Sequence, residues 1–196
     1  MSIVFFDFET GGVHENRPNI QLAAIAVDCK WNELATFEQK IQFDESAADP
    51  EALRINHYDP EVWKRDAKPS SQVAASFATF LKPYCCVEKI SKRGTPYYVA
   101  RLAGHNAASF DGPRLRRMFE ECGMFLPAEM FIRDTLQRAL WWFYERGSEP
   151  KNLRLTGLAE HFGIPADGAH DALADVRLSI AITRAMSQAS VSEVAA

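Results

Sequence analysis

From Ile3 to Phe8 the chain runs through an apolar and aromatic stretch with an acid inside it, and Gly11-Gly12 close it as a turn signal. This pattern predicts a strand carrying an embedded carboxylate. Gln21 to Val27 and Ala35 to Phe43 follow at short spacing, the second alternating polar and apolar residues from Phe37 onward. Both read as strands, so the chain is expected to open with a three-stranded antiparallel meander. Pro50 and Pro60 interrupt helix-compatible pieces between Asp49 and Lys64, which predicts loop and short helix. Ser70-Ser71 are the expected cap of a helix through Leu81, with Val73, Phe77, Phe80 and Leu81 at helical spacing.

The second half alternates single strands with helices. Tyr97 to Leu102 predicts a strand, and Cys85 to Ile90 can pair with it across the turn-like Lys92-Arg93-Gly94-Thr95-Pro96. Ser109 to Pro113 reads as a helix start, because proline is tolerated in a first turn, and Cys122-Gly123 closes that helix. Met130 to Arg133 predicts a short strand, and helices follow over Thr135–Arg146, Arg154–Phe162 and about Asp171–Met186. The expected architecture is α/β, one mixed sheet flanked by helices, in a single domain over 1–187 with a flexible tail over 188–196.

At 196 residues and 47% hydrophobic composition the chain can bury a substantial core. It has no run of eighteen apolar residues and no basic leader with a cleavage site, so a soluble, cytoplasmic protein without membrane contact is expected. Cys29, Cys85, Cys86 and Cys122 have neither zinc-site spacing nor the density of a disulfide scaffold. The formal charge of −4 provides no overall basic field for a nucleic acid. Local charge differs: Lys82, Lys89, Lys92, Arg93 and Arg101 face one acid, Glu88, within 82–101, and Arg114, Arg116 and Arg117 follow.

Asp7 and Glu9 are two apart on the first predicted strand, which places both on one face. Either acid could instead end the strand and point to water. Two like charges buried together raise each other's pKa, and a divalent cation removes that cost, so the pair asks for a metal. Asp111 sits near a helix start, where the macrodipole favours a carboxylate, and by itself reads as a cap before it reads as a ligand. Asp175 lies within the last predicted helix beside Leu173, Val176 and Leu178, and by itself could be an ordinary solvated residue. His170 precedes that helix, and five residues on one helix turn a side chain by roughly 140°, so it fits better in the loop ahead. Asp171, on the same helical face as Asp175, is by spacing alone an equal candidate for ligand or cap.

Asp7-Phe8-Glu9-Thr10, His105 to Asp111, and His170-Asp171-Ala172-Leu173-Ala174-Asp175 resemble the three motifs of the DnaQ-like 3'-5' exonucleases. The histidine five before the final aspartate resembles the branch defined by four acids and a histidine. The resemblance covers about residues 3–186 and implies a ribonuclease H-like fold. It implies Asp7, Glu9, Asp111 and Asp175 as ligands of two divalent cations, Mg2+ or Mn2+. His170 is the implied general base, and Asp171 becomes structural. The implied reaction is in-line attack of water on the terminal phosphodiester of DNA or RNA, releasing nucleoside 5'-monophosphates.

By the same resemblance Thr10, Asn56 and Tyr58 are expected to contact the terminal nucleotide, with Tyr58 stacking on a base or merely packing. Asn106 and Phe110, beside Asp111, are the remaining substrate-side candidates, Phe110 as pocket wall or core. The expected partner is single-stranded or 3'-ended nucleic acid. Trp141-Trp142-Phe143-Tyr144 cannot all face one core, so a homodimer or a polymerase or repair partner could cover the rest, as could the following loop. The basic 82–101 stretch could track a phosphate backbone or be a solvated hairpin. Two other readings stand beside the exonuclease: a catalytically silent nucleic-acid-binding module, and a metal-dependent phosphodiesterase that does not act at 3' ends.

Overall fold

The computed structural model describes residues 1–166 and 171–194, with side chains as far as residue 189. The chain opens with β1 (Ser2–Thr10), β2 (Asn19–Asp28) and β3 (Glu33–Lys40), the expected antiparallel meander. Then come α1 (Pro50–Ile55), α2 (Pro60–Asp66), α3 (Ser70–Leu81), β4 (Cys85–Ile90), β5 (Pro96–Ala100) and β6 (Leu102–Gly104). The second half contains α4 (Asp111–Glu121), β7 (Arg133–Asp134), α5 (Thr135–Glu145), α6 (Leu155–His161) and α7 (Ala172–Val194). One mixed sheet has the order β3-β2-β1-β6-β7, with β6 and β7 parallel to β1, and β4-β5 form a separate two-stranded sheet. This is the predicted ribonuclease H-like arrangement.

Period-two alternation along β1 assigns its side chains to two cores. Val4, Phe6 and Phe8 point to one face, where Val73, Phe77 and Leu81 of α3 and Leu115, Met118 and Phe119 of α4 cover them. Phe5 points to the other, against Ala172, Val176 and Ile180 of α7, which recur every four residues along one helical stripe. Leu178, Ile182 and Met186 occupy a second stripe and meet Ala139, Phe143, Leu158 and Ala159 from α5 and α6. Each fully buried large side chain in these cores contributes roughly 1.5–3 kcal/mol. Asp7 and Glu9 continue the Phe5 series and therefore face α7.

Several boundaries differ from the sequence pattern. Ser70 and Ser71 lie inside α3; the cap position is Pro69, which makes no side-chain cap bond. The strand predicted over Met130–Arg133 is reduced to Arg133–Asp134, because Glu129 and Ala128 are already engaged with Ala100 on β5. The last helix continues past Met186 to Val194, since Gln188-Ala189-Ser190-Val191 contains no glycine or proline to stop it. No helix among the described residues is long and apolar enough to cross a membrane.

Candidate active site

The carboxylates converge where β1 runs out from under its neighbours. Asp7 and Glu9 share a face of β1, and α7 presents Asp175 to that face one turn after its start. One carboxylate oxygen from each of the three lies within 4.8 Å of the others. Glu9 is buried and Asp7 and Asp175 are half-buried. Asp171 has a different use: its Oδ1 accepts the N–H groups of Leu173 and Ala174 at 3.1 and 3.0 Å, capping α7 and fixing where Asp175 emerges.

Burial and mutual repulsion show in the acid strengths. Burial, then the charges of Asp111, Glu9 and Asp175, hold the Asp7 carboxyl well above the usual range. Burial, then Asp175, Asp171 and Asp111, push Glu9 up to about 7. The donor set is anionic and all oxygen, too crowded to remain ionised alone, which fits a hard divalent cation.

Asp111 enters from the opposite face. Val4 N–H donates to Arg101 on the β6 side of β1, and alternation points the Phe8 N–H the same way, but β6 has ended at Gly104. The Asp111 Oδ1 takes that Phe8 N–H at 3.1 Å, completing the ladder with a carboxylate. Asp111 is itself the first residue of α4, whose N-cap is Phe110. Burial raises Asp111 to about 7, against the opposing effects of the Phe8 N–H and the Arg114 charge. Close approach here requires glycine: a Cβ on Gly104 would lie 2.7 Å from both Ala107 Cβ and the Phe6 carbonyl oxygen.

The substrate-side candidates divide. Thr10 is buried at the end of β1 and its hydroxyl donates to the Gly12 carbonyl at 2.9 Å, while Asn56 Nδ2 donates to the Thr10 carbonyl at 2.9 Å. Those two are brought together beside Glu9. Tyr58 is not open for stacking: its ring packs on Phe43 and Trp63, and its hydroxyl donates to Glu45 Oε1 at 2.6 Å. Asn106 is exposed with a φ of 56°, in the loop between β6 and α4. Phe110 is half-buried, its ring 4.4 Å beneath the Arg114 guanidinium. His170, the expected base, lies outside the described residues.

Two residues that the sequence did not single out for this purpose organise the surroundings. Asp134 accepts from Asn106 N–H and Ala108 N–H at 3.1 and 2.9 Å, and also from Leu136 and Gln137 at the start of α5. One carboxylate thus holds the loop before Asp111 and caps a helix; its signal was Asp before Thr-Leu at a helix start. Arg114 is 3% exposed and donates to the carbonyls of Arg17, Gly12, Val13 and His14 and to Asn19 Oδ1, pinning the loop that follows Glu9-Thr10. His105 Nε2 meets the Leu153 carbonyl at 3.0 Å, so that nitrogen carries the proton, and burial keeps the ring below 6.5.

A protein-family model described as an exonuclease (RNase_T) matches residues 97–183, the segment that contains Asp111 and Asp175. Escherichia coli Exonuclease I with a dT13 oligonucleotide is similar in structure, with a TM-score of 0.74 and 23% identity over 93% of this chain. The chain shares the Exonuclease I fold. Its ribonuclease H-like fold recurs in the zinc-bound Exonuclease I complex with single-stranded DNA (TM-score 0.75, 22% identity, 96% of this chain). The chain is also 33% identical over 82 residues to Protein NEN3 of Arabidopsis thaliana, covering 42% of this chain. It spans 40% of the Exonuclease I chain in either complex and 15% of NEN3.

Proposed function

We propose that this chain is a divalent-metal-dependent 3'-5' exonuclease that removes nucleoside 5'-monophosphates from a single-stranded end. The observation that carries this reading is the convergence of Asp7, Glu9 and Asp175 oxygens within 4.8 Å, with Asp111 anchored behind them on the Phe8 N–H. Asp7, Glu9, Asp111 and Asp175 would hold two Mg2+ or Mn2+ ions, whose chemistry is Lewis-acid stabilisation of charge developing on the phosphate and leaving oxygens. His170, just ahead of the capped start of α7, takes the proton of the attacking water, a role suited to a side chain that titrates near neutrality. Thr10 and the Gly12 backbone line the approach of the terminal nucleotide, and Arg114 holds them in place. Oligonucleotide-bound Exonuclease I supports nucleic acid as the substrate class.

A 5'-labelled single strand with Mg2+ tests the proposal. A ladder shortening stepwise from the 3' end is the expected result, lost on adding a chelator. Internal cuts would point to an endonuclease, and an unchanged strand retained by the protein to a silent binding module; either sinks the reading. Matched DNA and RNA strands in the same assay assign the sugar.

A further inference from the structure

The β4-β5 hairpin takes no part in the carboxylate site. β5 runs into β6, whose Leu102 lies beside Val4, so the hairpin projects beyond Ser2, the end of β1 away from Glu9. From Asp7 back to Ser2 and on to Tyr97 is about eight residues, roughly 26 Å at ~3.3 Å per residue. This projection is basic and aromatic at once. Lys92 and Arg93 sit exposed in its turn. Lys89 bonds Glu129 at 3.0 Å, and Arg133 neutralises that acid from the other side. Tyr98 is 56% exposed, and Phe125 and Phe131 on the adjoining segment are 65% and 80% exposed. Tyr97 meets Phe125 edge-on with centroids 5.9 Å apart, and the Lys89 ammonium lies 5.9 Å over the Phe131 ring.

Large aromatic side chains in water are a poor use of apolar surface unless something covers them. Cations interleaved with rings match a single strand, which alternates phosphates with bases that stack. We propose that the β4-β5 hairpin and the 124–131 segment form a second contact for the 5'-ward part of a single-stranded substrate whose 3' end lies at the carboxylates. This rests on the exonuclease reading of that site. At ~3.4 Å per stacked nucleotide the gap corresponds to about eight nucleotides. Strands shorter than that reach only the carboxylates, and longer ones engage both contacts.

The test is fluorescence anisotropy with the metal chelated, so that nothing is cut, using labelled oligothymidylates of about 5 and about 16 nucleotides on either side of that length. The full chain should bind the longer strand about tenfold more tightly. The Lys92→Glu/Arg93→Glu variant, altered only in an exposed turn, should lose that advantage and part of the salt dependence while binding the short strand as before. Tyr98→Ala should lose about fivefold on the long strand alone. Equal affinity for both lengths, or an advantage that survives the charge reversal, overturns the proposal. So does binding of a polyglutamate peptide to the hairpin with the long strand indifferent to both variants, which would assign the face to an acidic protein. Failure of the exonuclease reading is seen separately, as an uncut strand with Mg2+, and leaves the anisotropy readable.

Discussion

Removing the metal should make this protein lose stability as the pH rises, opposite to the usual acid denaturation. Glu9 titrates at about 7 instead of 4.5, and Asp111 at about 7 instead of 3.8. A carboxyl raised by folding leaves stability intact below its unfolded value and takes it away as pH climbs through the folded value. At ~1.4 kcal/mol per pH unit, Glu9 alone forfeits about 3 kcal/mol between about pH 4.5 and about pH 8. In a domain of this size that is a Tm fall of about 6–12 °C. Asp111 and Asp7 add to it, though less than additively because the acids repel one another. His105, held below 6.5, pulls the other way at acid pH, so the decisive quantity is the difference between the wild type and Glu9→Gln. Circular dichroism melts in chelator at about pH 5, 6, 7 and 8 should show the wild type falling more steeply than Glu9→Gln. Millimolar Mg2+ should flatten the wild-type curve, because the cation replaces the protons. Parallel slopes for the two proteins, or a wild-type fall that Mg2+ leaves untouched, would refute the crowded-carboxylate account.

Other outcomes follow from single contacts. Asp7→Asn or Asp175→Asn should lower 3'-end cleavage by about a hundredfold or more, several kcal/mol of transition-state stabilisation, while Asp7→Asn melts higher than the wild type in chelator. Arg114→Lys keeps the charge but not the planar fork that collects four carbonyls, and should cost about 2 kcal/mol in urea melts. Asp134→Ala removes a helix cap and the tether of the 106–108 loop together, an expected loss of about 2 kcal/mol. Gly104→Ala should destabilise by about 1–3 kcal/mol through overpacking against Ala107 and Phe6; an unchanged Tm would show that the β1-β6 approach is looser than described.

What could be read from the chain was what repeats locally. The Asp7/Glu9 pair follows from strand alternation, and the α3 stripe from helical spacing. Asp171 and Asp175 could not be separated that way, since both lie on one face; the difference is that Asp171 bends back to its own helix N-terminus. The bond that anchors Asp111 was hidden because its partner, Phe8 N–H, is 103 positions away. Arg114 was hidden for the same reason, its acceptors being main-chain carbonyls about a hundred positions back. β6 and β7 are three and two residues long, too short for any period to register. Tyr58 shows the converse: an aromatic at a suggestive position was already engaged by Phe43, Trp63 and Glu45.

The bond between Asp111 and Phe8 bears on how an inert form of this protein should be made. Because one oxygen of Asp111 serves as a rung of the sheet, replacing that residue alters the scaffold together with the chemistry, and loss of turnover could not be told from loss of shape. Among the described residues the Asp7 carboxylate makes no such bond to the main chain. A form that captures a strand without cutting it is therefore better built at Asp7, leaving position 111 to hold the end of β1 in register.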